Sequence, residues 1–220
     1  LGLENDIAII DSKLKFLYST QLKKLSFVRK KIFIESGENI KTLPGVFELL
    51  KSIENTEIMP INHVLVMGGA TIQDVAGTAL ALLKRGTSWT YVPTTLLSQT
   101  DSCIGSKTSI NGISSKNMYG LFFSPKNIYI MCDFIKSLPE IEILSGIGDA
   151  FHYLLLDVNQ TYEYAIKILR TLSNNGLKKF VEVPENIYKL SSKIHKIKKD
   201  FIEKDEFDQH ERKVLNLGHS

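Results

Sequence analysis

A run of polar side chains between Pro93 and Asn117 is the part of this sequence best equipped for chemistry. It contains many hydroxyl and amide groups, one carboxylate at Asp101, and lysines at positions 107 and 116. Carboxylates and amides hydrogen-bond to hydroxylated ligands, and lysines bind carboxylate or phosphate groups. The run therefore predicts a binding site for a small polyhydroxylated anion.

Two further sets of polar residues recur at helical spacing. Positions four and three apart lie on one helix face, which groups Ser145 with Asp149 and His152, and Arg212 with Asn216 and His219. The first set is expected beside an apolar stripe of Leu144, Ile147, Phe151 and Leu155. Facing stripes could supply Asp149 and His219 to a catalytic zinc, which takes three protein ligands and keeps one position open. Solvent-exposed polar side chains are the alternative. On the same grounds we expect three further histidines to be surface residues or to contact the metal ligands rather than the metal: His152, His195 and His210.

The first two thirds of the chain alternate short apolar runs with helical patterns. Five runs predict strands, at residues 7–10, 31–34, 63–66, 89–92 and 128–131. Helical patterns between them include residues 44–53 and 72–84. Continuous apolar strands alternating with helices predict a parallel sheet that is covered on both faces.

Small and acidic residues follow two of these strands. Gly68-Gly69 separates the third strand from a helix, where the backbone can approach a ligand and the helix N-terminus attracts phosphate. Asp11 ends the first strand, at the sheet edge where an acid can accept ribose hydroxyls. Asp74 can cap the helix or contact a nucleotide. Tight turns without a ligand are the alternative for both the glycines and Asp11.

The pattern becomes almost wholly helical near residue 138. Ser137-Leu138-Pro139-Glu140 has the spacing of a capping box, with proline just inside the helix. We therefore expect an α/β domain at residues 1–138 and an all-α domain at residues 139–220. The chain opens on Leu1 and stops at Ser220 without a helix stop signal, and we expect it to be a fragment.

Composition argues against several classes of protein. Hydrophobic residues make up 43% of the 220 positions, as in a globular protein, and the net charge of +3 is too mild to indicate nucleic acid. Lysines at 193, 196, 198 and 199 are interpreted as a solvated helix face. The two cysteines, Cys103 and Cys132, form no CxxC pair, and reduced thiols indicate the cytoplasm. We expect no membrane partner, since no apolar run approaches the roughly 20 residues that span a bilayer and no signal peptide is seen.

Together with Gly68-Gly69, Asp74 and Arg85-Gly86, the segment from Pro93 to Asn117 resembles the signature of the 3-dehydroquinate synthase family of sugar-phosphate cyclases. A later motif also resembles this family, at Lys198, Asp205-Glu206, Arg212, Asn216 and Gly218-His219. The resemblance implies a Rossmann-like NAD-binding α/β domain with a parallel sheet, followed by an all-α metal-binding domain. It further implies a cytoplasmic carbon–oxygen lyase of the shikimate pathway, which makes aromatic amino acids, and a homodimer.

The resemblance also implies roles for the matched residues. NAD would contact Asp11, Glu38, Lys41, Gly68, Gly69, Asp74, Thr94, Thr95 and Leu97. The catalytic set would be Asp101, Lys107, His152, Lys198, Arg212 and Asn216, with Lys198 and Arg212 on the substrate carboxylate and Asn216 near the phosphate. Lys116 and Asn117 would bind substrate, and Arg85 would reach the substrate phosphate of the neighbouring subunit. Asp149 and His219 would bind a divalent metal, zinc or cobalt. The family's third ligand would follow Ser220, so we expect the 220-residue chain alone to be poorly active or inactive.

Several positions depart from the family pattern. Asp149 stands where glutamate is usual, His152 where lysine is usual, Asp208 is one carbon short, and Ala70 and Gln73 replace glycines. The changes at Asp149 and His152 favour a related cyclase that makes a cyclitol for a secondary metabolite or surface polysaccharide. Retention of Lys107, Lys198, Arg212 and Asn216 favours the carboxylated substrate, 3-deoxy-D-arabino-heptulosonate 7-phosphate. Two further candidates are a non-catalytic NAD- or sugar-binding relative and a polyol or alcohol dehydrogenase; the segment 94–117 argues against the dehydrogenase.

Overall fold

The computed structural model describes residues 5–216, and these residues form two compact units. The first unit contains the chain up to Pro93 together with Ser106–Ile130, and the second contains Thr94–Gly105 and the chain from Met131 onward. This division differs from the single boundary expected near residue 138. Residues 94–105 go with the helical unit because Leu96 is buried in its core.

The strands of the described chain all lie in the first unit. They are β1 (Asn5–Asp11), β2 (Val28–Ile34), β3 (His63–Gly68), β4 (Ser88–Pro93), β5 (Lys107–Ile110), β6 (Tyr119–Phe122) and β7 (Asn127–Ile128). A parallel sheet has the order β2-β1-β3-β4-β7, and β5 pairs with β6 as an antiparallel hairpin. The parallel sheet confirms the predicted fold class.

Burial within the sheet follows the position of each strand. Every residue of β3 is buried, as are Ile7–Ile10 of β1, because these strands are covered on both faces. Edge strand β2 starts three residues before the predicted run and is mostly half-exposed, so the expectation of a buried strand is wrong there. The strand predicted at 128–131 is wrong beyond Ile128, where the chain leaves the sheet edge and Met131 is exposed.

The helices of the first unit are α1 (Ser12–Leu17), α2 (Ser19–Lys23), α3 (Leu43–Glu54) and α4 (Ala70–Leu82). The α3 and α4 helices confirm the two predicted helical patterns. The α4 helix packs on β1, β3 and β4, and also on β5. At that last contact Gly77 faces Thr108, whose Cγ2 would lie 2.4 Å from an added Cβ, so only glycine permits this approach.

Helices dominate the second unit. They are α5 (Glu140–Leu156), α6 (Val158–Glu182) and α7 (Pro184–Lys204), preceded by a 3-10 segment at Cys132–Ser137 and followed by another at Glu211–Asn216. The α6 helix breaks at Gly176, whose φ is +76°. Their shared core includes Ile135, Ile147, Leu154, Ile187 and Ile194. Among the described residues no helix combines the length and the apolar character that crossing a bilayer requires.

Three local expectations are wrong in this unit. The capping box does not form: Pro139 occupies the N-cap position without a side-chain cap, and the Ser137 hydroxyl donates to the Phe134 carbonyl. In the expected apolar stripe of α5, Leu144 and Leu155 are exposed. The buried face is instead built on Ile143, Ile147, Ala150 and Leu154.

The third wrong expectation is the helical stripe of Arg212, Asn216 and His219. Residues 211–216 form a 3-10 helix, which has three residues per turn and so separates positions four apart. Arg212 is accordingly buried while Asn216 is exposed. His219 lies outside the described residues.

Candidate functional site

The carboxyl ends of β1 and β3 lie at one edge of the parallel sheet. Asp11 at the end of β1 is buried, and its carboxylate accepts the Lys13 backbone N–H at 3.0 Å. Gly69 is the N-cap of α4 and supplies no side-chain cap to the first-turn N–H groups. An added Cβ at Gly68 would lie 2.6 Å from Cβ of Ile72, so packing alone accounts for that glycine.

Asp74 and Lys41 form a largely buried ion pair beside this edge. Lys41 Nζ lies 2.7 Å from Asp74 Oδ2, and the backbone N–H of Ser109 donates to Oδ1 at 2.9 Å. Burial raises the pKa of Asp74, while the adjacent Lys41 opposes that rise. Because an unpaired charge is costly to bury, each side chain depends on the other for its position.

Asn111 joins this pair to two other predicted site residues. Its backbone N–H donates to the Lys41 carbonyl at 2.8 Å, and its amide donates to Glu38 Oε2 at 2.8 Å. Its side-chain oxygen accepts the Asn117 backbone N–H at 3.0 Å. We call Glu38, Lys41, Asp74, Ser109, Asn111 and Asn117 the Asp74 cluster. Ser109 and Asn111 were not predicted as site residues, although both lie in the polar run.

The remaining predicted residues of the first unit vary in exposure. Lys107 opens β5 and is half-buried, whereas Lys116 is exposed. Arg85 is exposed in a turn where Lys84, Arg85 and Gly86 have φ values of +50°, +67° and +114°. The backbone of this turn is left-handed at two non-glycine residues, a conformation that ordinary side chains disfavour.

Asp101 lies in a single π-helical turn, Ser98–Ser102, in the second unit. Lys198 Nζ lies 2.6 Å from Oδ1 of Asp101 and 2.7 Å from its backbone carbonyl oxygen. The Tyr153 hydroxyl donates to the same Oδ1. The structure therefore brings together two predicted catalytic residues that are 97 positions apart. We call Asp101, Tyr153, His195 and Lys198 the Asp101 cluster.

His195 lies three positions before Lys198 on α7 and contacts the same turn. Its Nε2 is 2.9 Å from the Gln99 carbonyl oxygen and 3.6 Å from Cys103 Sγ. Burial lowers the pKa of His195, which favours the neutral ring. The α7 helix thus supplies side-chain groups to two carbonyls of the π turn. His195 was expected to be a surface residue or to contact the metal ligands, and its contacts are with the π turn. Tyr153 was not predicted as a site residue, although it follows Asp149 by one helical turn.

Thr94, Thr95 and Leu97 precede the π turn directly. Thr94 is buried, and the other two are half-buried. The Thr95 and Ser98 hydroxyls lie 2.8 Å apart, and Thr95 Oγ1 also accepts the Ser98 backbone N–H at 3.2 Å. These contacts fix the entry to the turn.

Arg212 is almost fully buried and is bonded to backbone. Its guanidinium donates to the Gly105 carbonyl at 2.7 Å and to the Glu206 carbonyl. Gly105 has a φ of +103°, and a Cβ there would lie 2.3 Å from Arg212 Nη2. Nε of Arg212 is buried and has no hydrogen-bond partner within residues 5–216. Nearby, the Asn216 amide donates to Asp208 Oδ2 at 3.1 Å.

Asp149 and His152 occupy half-buried positions on α5. The His152 ring meets the Tyr153 ring edge-on at 5.4 Å. Burial, followed by the charges of Asp101 and then Asp149, raises the pKa of Tyr153. Across residues 5–216 no three His, Cys, Asp or Glu side chains converge as a metal site. Asp149 is thus the predicted metal ligand that can be described, and its partner His219 lies outside that range.

Comparison with known proteins identifies the family. The model for the N-terminal part of 3-dehydroquinate synthase matches residues 31–145, just over half of the chain. The chain belongs to the 3-dehydroquinate synthase family. The matched range includes Lys41, Asp74, Asp101 and Lys107, so it covers the Asp74 cluster and the π turn. The resemblance drawn from the sequence is confirmed.

A curated relative is similar to this chain over the chain's whole length, and solved structures share its fold. The chain is 30% identical to the 3-dehydroquinate synthase of Alkaliphilus metalliredigens over 222 residues, covering 100% of the chain and 60% of that relative. The structure of 2-epi-5-epi-valiolone synthase from Streptomyces hygroscopicus, with NAD+ and Zn2+ bound, matches with a TM-score of 0.82 at 21% identity, covering 98% of this chain and 60% of that one. A 2-deoxy-scyllo-inosose synthase complexed with carbaglucose-6-phosphate, NAD+ and Co2+ matches with a TM-score of 0.78 at 20% identity, covering 98% and 58%. The two structures show a shared fold, of which this chain spans about 60%.

Proposed function

We propose that the complete protein is a 3-dehydroquinate synthase. It would eliminate phosphate from 3-deoxy-D-arabino-heptulosonate 7-phosphate and form 3-dehydroquinate in the shikimate pathway, in the cytoplasm. The observation that carries the proposal is the ion pair of Lys198 and Asp101, whose side chains are only 8% and 17% exposed. Burying two charges costs free energy, and the packing of a core does not require charged groups. Ion pairs held in this way are typical of functional sites. A carboxylate and an ammonium held together suit a substrate with both hydroxyl groups and a carboxylate.

NAD is one proposed cofactor, and the first unit fits it. Asp11 is a buried carboxylate at a strand end, suited to ribose hydroxyls, and Gly69 leaves the first turn of α4 open to a pyrophosphate. Other parts of the nucleotide would contact Lys41, Asp74 and Glu38. The family resemblance also proposes NAD contacts at Thr94, Thr95 and Leu97. Bound NAD supplies reversible hydride acceptance.

A divalent metal, zinc or cobalt, is the second proposed cofactor. Asp149 fits as one ligand because it is a half-buried carboxylate on the helix that also carries Tyr153. The residues between 5 and 216 do not complete a metal site, so His219 and a further ligand would be needed. The chemistry such a metal supplies is polarisation of a hydroxyl oxygen.

The chain's own residues would bind and orient the substrate. Asp101 would accept a hydrogen bond from a ring hydroxyl, and Lys198 would donate to the substrate carboxylate. Arg212 would assist through N–H groups other than those donated to Gly105 and Glu206. As the C–O bond to phosphate breaks, the leaving phosphate keeps the electron pair and takes the proton from the neighbouring carbon. Lys107, Lys116, Asn117 and Asn216 would hold that phosphate.

We further propose a homodimer in which Arg85 serves the neighbouring site. Arg85 is exposed on a left-handed turn, where an arginine can reach beyond its own chain. Complete subunits carrying Arg85→Ala would be mixed with subunits carrying Lys198→Met. If Arg85 acts across the dimer, each mixed dimer regains one intact site and activity returns. If it acts within its own subunit, mixing restores nothing.

A cyclase that acts on an uncarboxylated sugar phosphate is the second candidate. Asp149 and His152 favour it, since the family usually has a longer carboxylate and a lysine at these positions. Its substrate would place less demand on Lys198 and Arg212. Sedoheptulose 7-phosphate is the compound that separates the two candidates.

The decisive experiment measures phosphate release by the complete gene product with NAD and zinc supplied. Release from the heptulosonate phosphate that depends on both cofactors, with dehydroquinate as product, is expected. Lys198→Met should lower kcat/KM at least a hundredfold, whereas the control Lys199→Met, an exposed lysine paired with Glu203, should not. Release from sedoheptulose 7-phosphate alone would select the second candidate. Stoichiometric NAD binding without release from either would indicate a non-catalytic relative.

A further inference from the structure

We propose that Tyr153 is a positioning residue for Asp101, and this inference rests on the proposed function. Tyr153 projects from α5, and its ring is buried in the core of the second unit. Its hydroxyl donates to Oδ1 of Asp101, 52 positions away in the chain. A phenylalanine would fill the same core, so packing does not require the hydroxyl. This bond offsets the cost of removing the hydroxyl oxygen from water.

Two donors converge on one carboxylate oxygen. Lys198 reaches Oδ1 of Asp101 at 2.6 Å from α7, while Tyr153 reaches it from α5. The ammonium of Lys198 also lies 5.8 Å from the centre of the Tyr153 ring. The α5 and α7 helices pack against each other in this unit. Donors on these two helices, rather than the π turn alone, therefore set the position of the Asp101 carboxylate.

The second donor has a consequence for substrate binding. When a substrate carboxylate draws the Lys198 ammonium toward itself, Asp101 gives up part of its ion pair. Losing a donor costs a largely buried carboxylate desolvation free energy, and that cost would hold Lys198 back. The Tyr153 hydroxyl leaves Asp101 with a neutral donor, so Lys198 can serve the substrate while Asp101 stays in place for a ring hydroxyl. Tyr153 thus acts through Asp101 and does not itself touch the substrate.

Tyr153→Phe in the complete protein tests this role. We expect kcat/KM for the phosphorylated substrate to fall about tenfold to a hundredfold, because small misplacements of a catalytic group have effects of this order. The KM for NAD should stay within a factor of about two of the unsubstituted value, on the same positional argument. Tyr164→Phe is the matched control, since Tyr164 is a half-buried tyrosine of α6 whose ring lies under Lys193. It should change neither constant.

A double-mutant cycle separates positioning from general stability. If Tyr153 acts through Asp101, Tyr153→Phe should have no further effect on kcat/KM in a protein that already carries Asp101→Asn. Equal losses in both backgrounds would overturn the proposal, as would an unaltered kcat/KM. Failure of Tyr153→Phe to fold, read by circular dichroism, would also overturn it in favour of a structural role. If the unsubstituted protein releases phosphate from no sugar phosphate, the proposed function fails first and the inference with it.

Discussion

The ammonium group of Lys41 lies 2.7 Å from Oδ2 of Asp74, and the two side chains are only 11% and 16% exposed. This pair stands in the unit that carries the parallel sheet. It connects the loop after β2 to the first turns of α4, which come together only in the folded unit. Burial raises the pKa of Asp74, so its ionised form depends on Lys41 and on the Ser109 N–H.

Removing one partner of this pair should therefore cost more than removing both. We expect Lys41→Met to lower the free energy of unfolding by about 3 kcal/mol, because it leaves a buried carboxylate unpaired. Lys41→Met combined with Asp74→Asn should recover part of that loss. Urea titrations of the three proteins give the comparison. A double variant less stable than Lys41→Met would contradict this account of the pair.

Gly105 should not tolerate a side chain. A methyl group there would lie 2.3 Å from Arg212 Nη2, on a backbone with a φ of +103°. We expect Gly105→Ala to destabilise the protein by roughly 2–4 kcal/mol, from backbone strain and displacement of the guanidinium. Gly148→Ala is the matched control, because a Cβ added at Gly148, within α5, would have no neighbour within 4 Å among residues 5–216 beyond the helix's own backbone. It should stabilise by about 0.5–1 kcal/mol through helix propensity. Equal thermal shifts for both would refute the prediction.

Stability should fall as the pH drops below about 6.5. The ring nitrogens of His63 lie 3.0 Å from Ser88 Oγ and 2.8 Å from Thr90 Oγ1, and burial, then the charge of Lys126, lowers the pKa of His63. The unfolded chain, with its ordinary pKa of 6.5, therefore takes up the proton first. The stability that the neutral His63 ring contributes is therefore fully present above that pH. As the pH falls below it, this contribution is lost at up to about 1.4 kcal/mol per pH unit for one histidine.

Urea unfolding at pH 7.5, 6.5 and 5.5 measures this slope. His63→Gln should flatten it, and His195, whose pKa burial also lowers, should account for part of what remains. An identical slope in His63→Gln and the unsubstituted protein would show that His63 titrates alike in both states.

Both cysteines should be unreactive in the folded protein. Burial raises the pKa of Cys103 to about 12 and also raises that of Cys132. At pH 8 only about one Cys103 in ten thousand would be a thiolate, the reactive form. Iodoacetamide labelling followed by peptide mass spectrometry should modify neither site in the native protein and both in guanidinium. Rapid labelling of either native site would contradict the observed burial.

Metal content provides a readout that does not depend on activity. In the complete protein, Asp149→Ala should reduce bound zinc at least tenfold after dialysis, because it removes a carboxylate ligand. Asp200→Ala, at an exposed position of α7, is the control and should keep the metal. Elemental analysis of the purified variants decides the point. Retention of stoichiometric zinc by Asp149→Ala would remove Asp149 from the proposed ligand set.

The features that could be predicted from the sequence are those that depend on a local pattern of residues. Continuous apolar runs identified the parallel strands, because strands covered on both faces have no polar face to interrupt them. The polar run with Asp101 and Lys107 identified the family, because its residue types and spacing are specific. The β5–β6 hairpin was missed. Its first strand lies within the polar run, where loop-like residues conceal a short strand, and its second strand begins just after the run, at Tyr119.

The sequence by itself determined the family, the fold class and most of the candidate residues. Only the tertiary structure decided which of them meet. Contacts between distant segments bring Lys198 and Tyr153 to one oxygen of Asp101. Such contacts also let Asn111 connect Glu38 to Asn117. They bond Arg212 to the backbone at Gly105. Helical spacing also misplaced the apolar face of α5 and the Arg212–Asn216 stripe. Periodicity gives the faces of a helix but not which face the rest of the chain covers, and that is settled only when the elements pack.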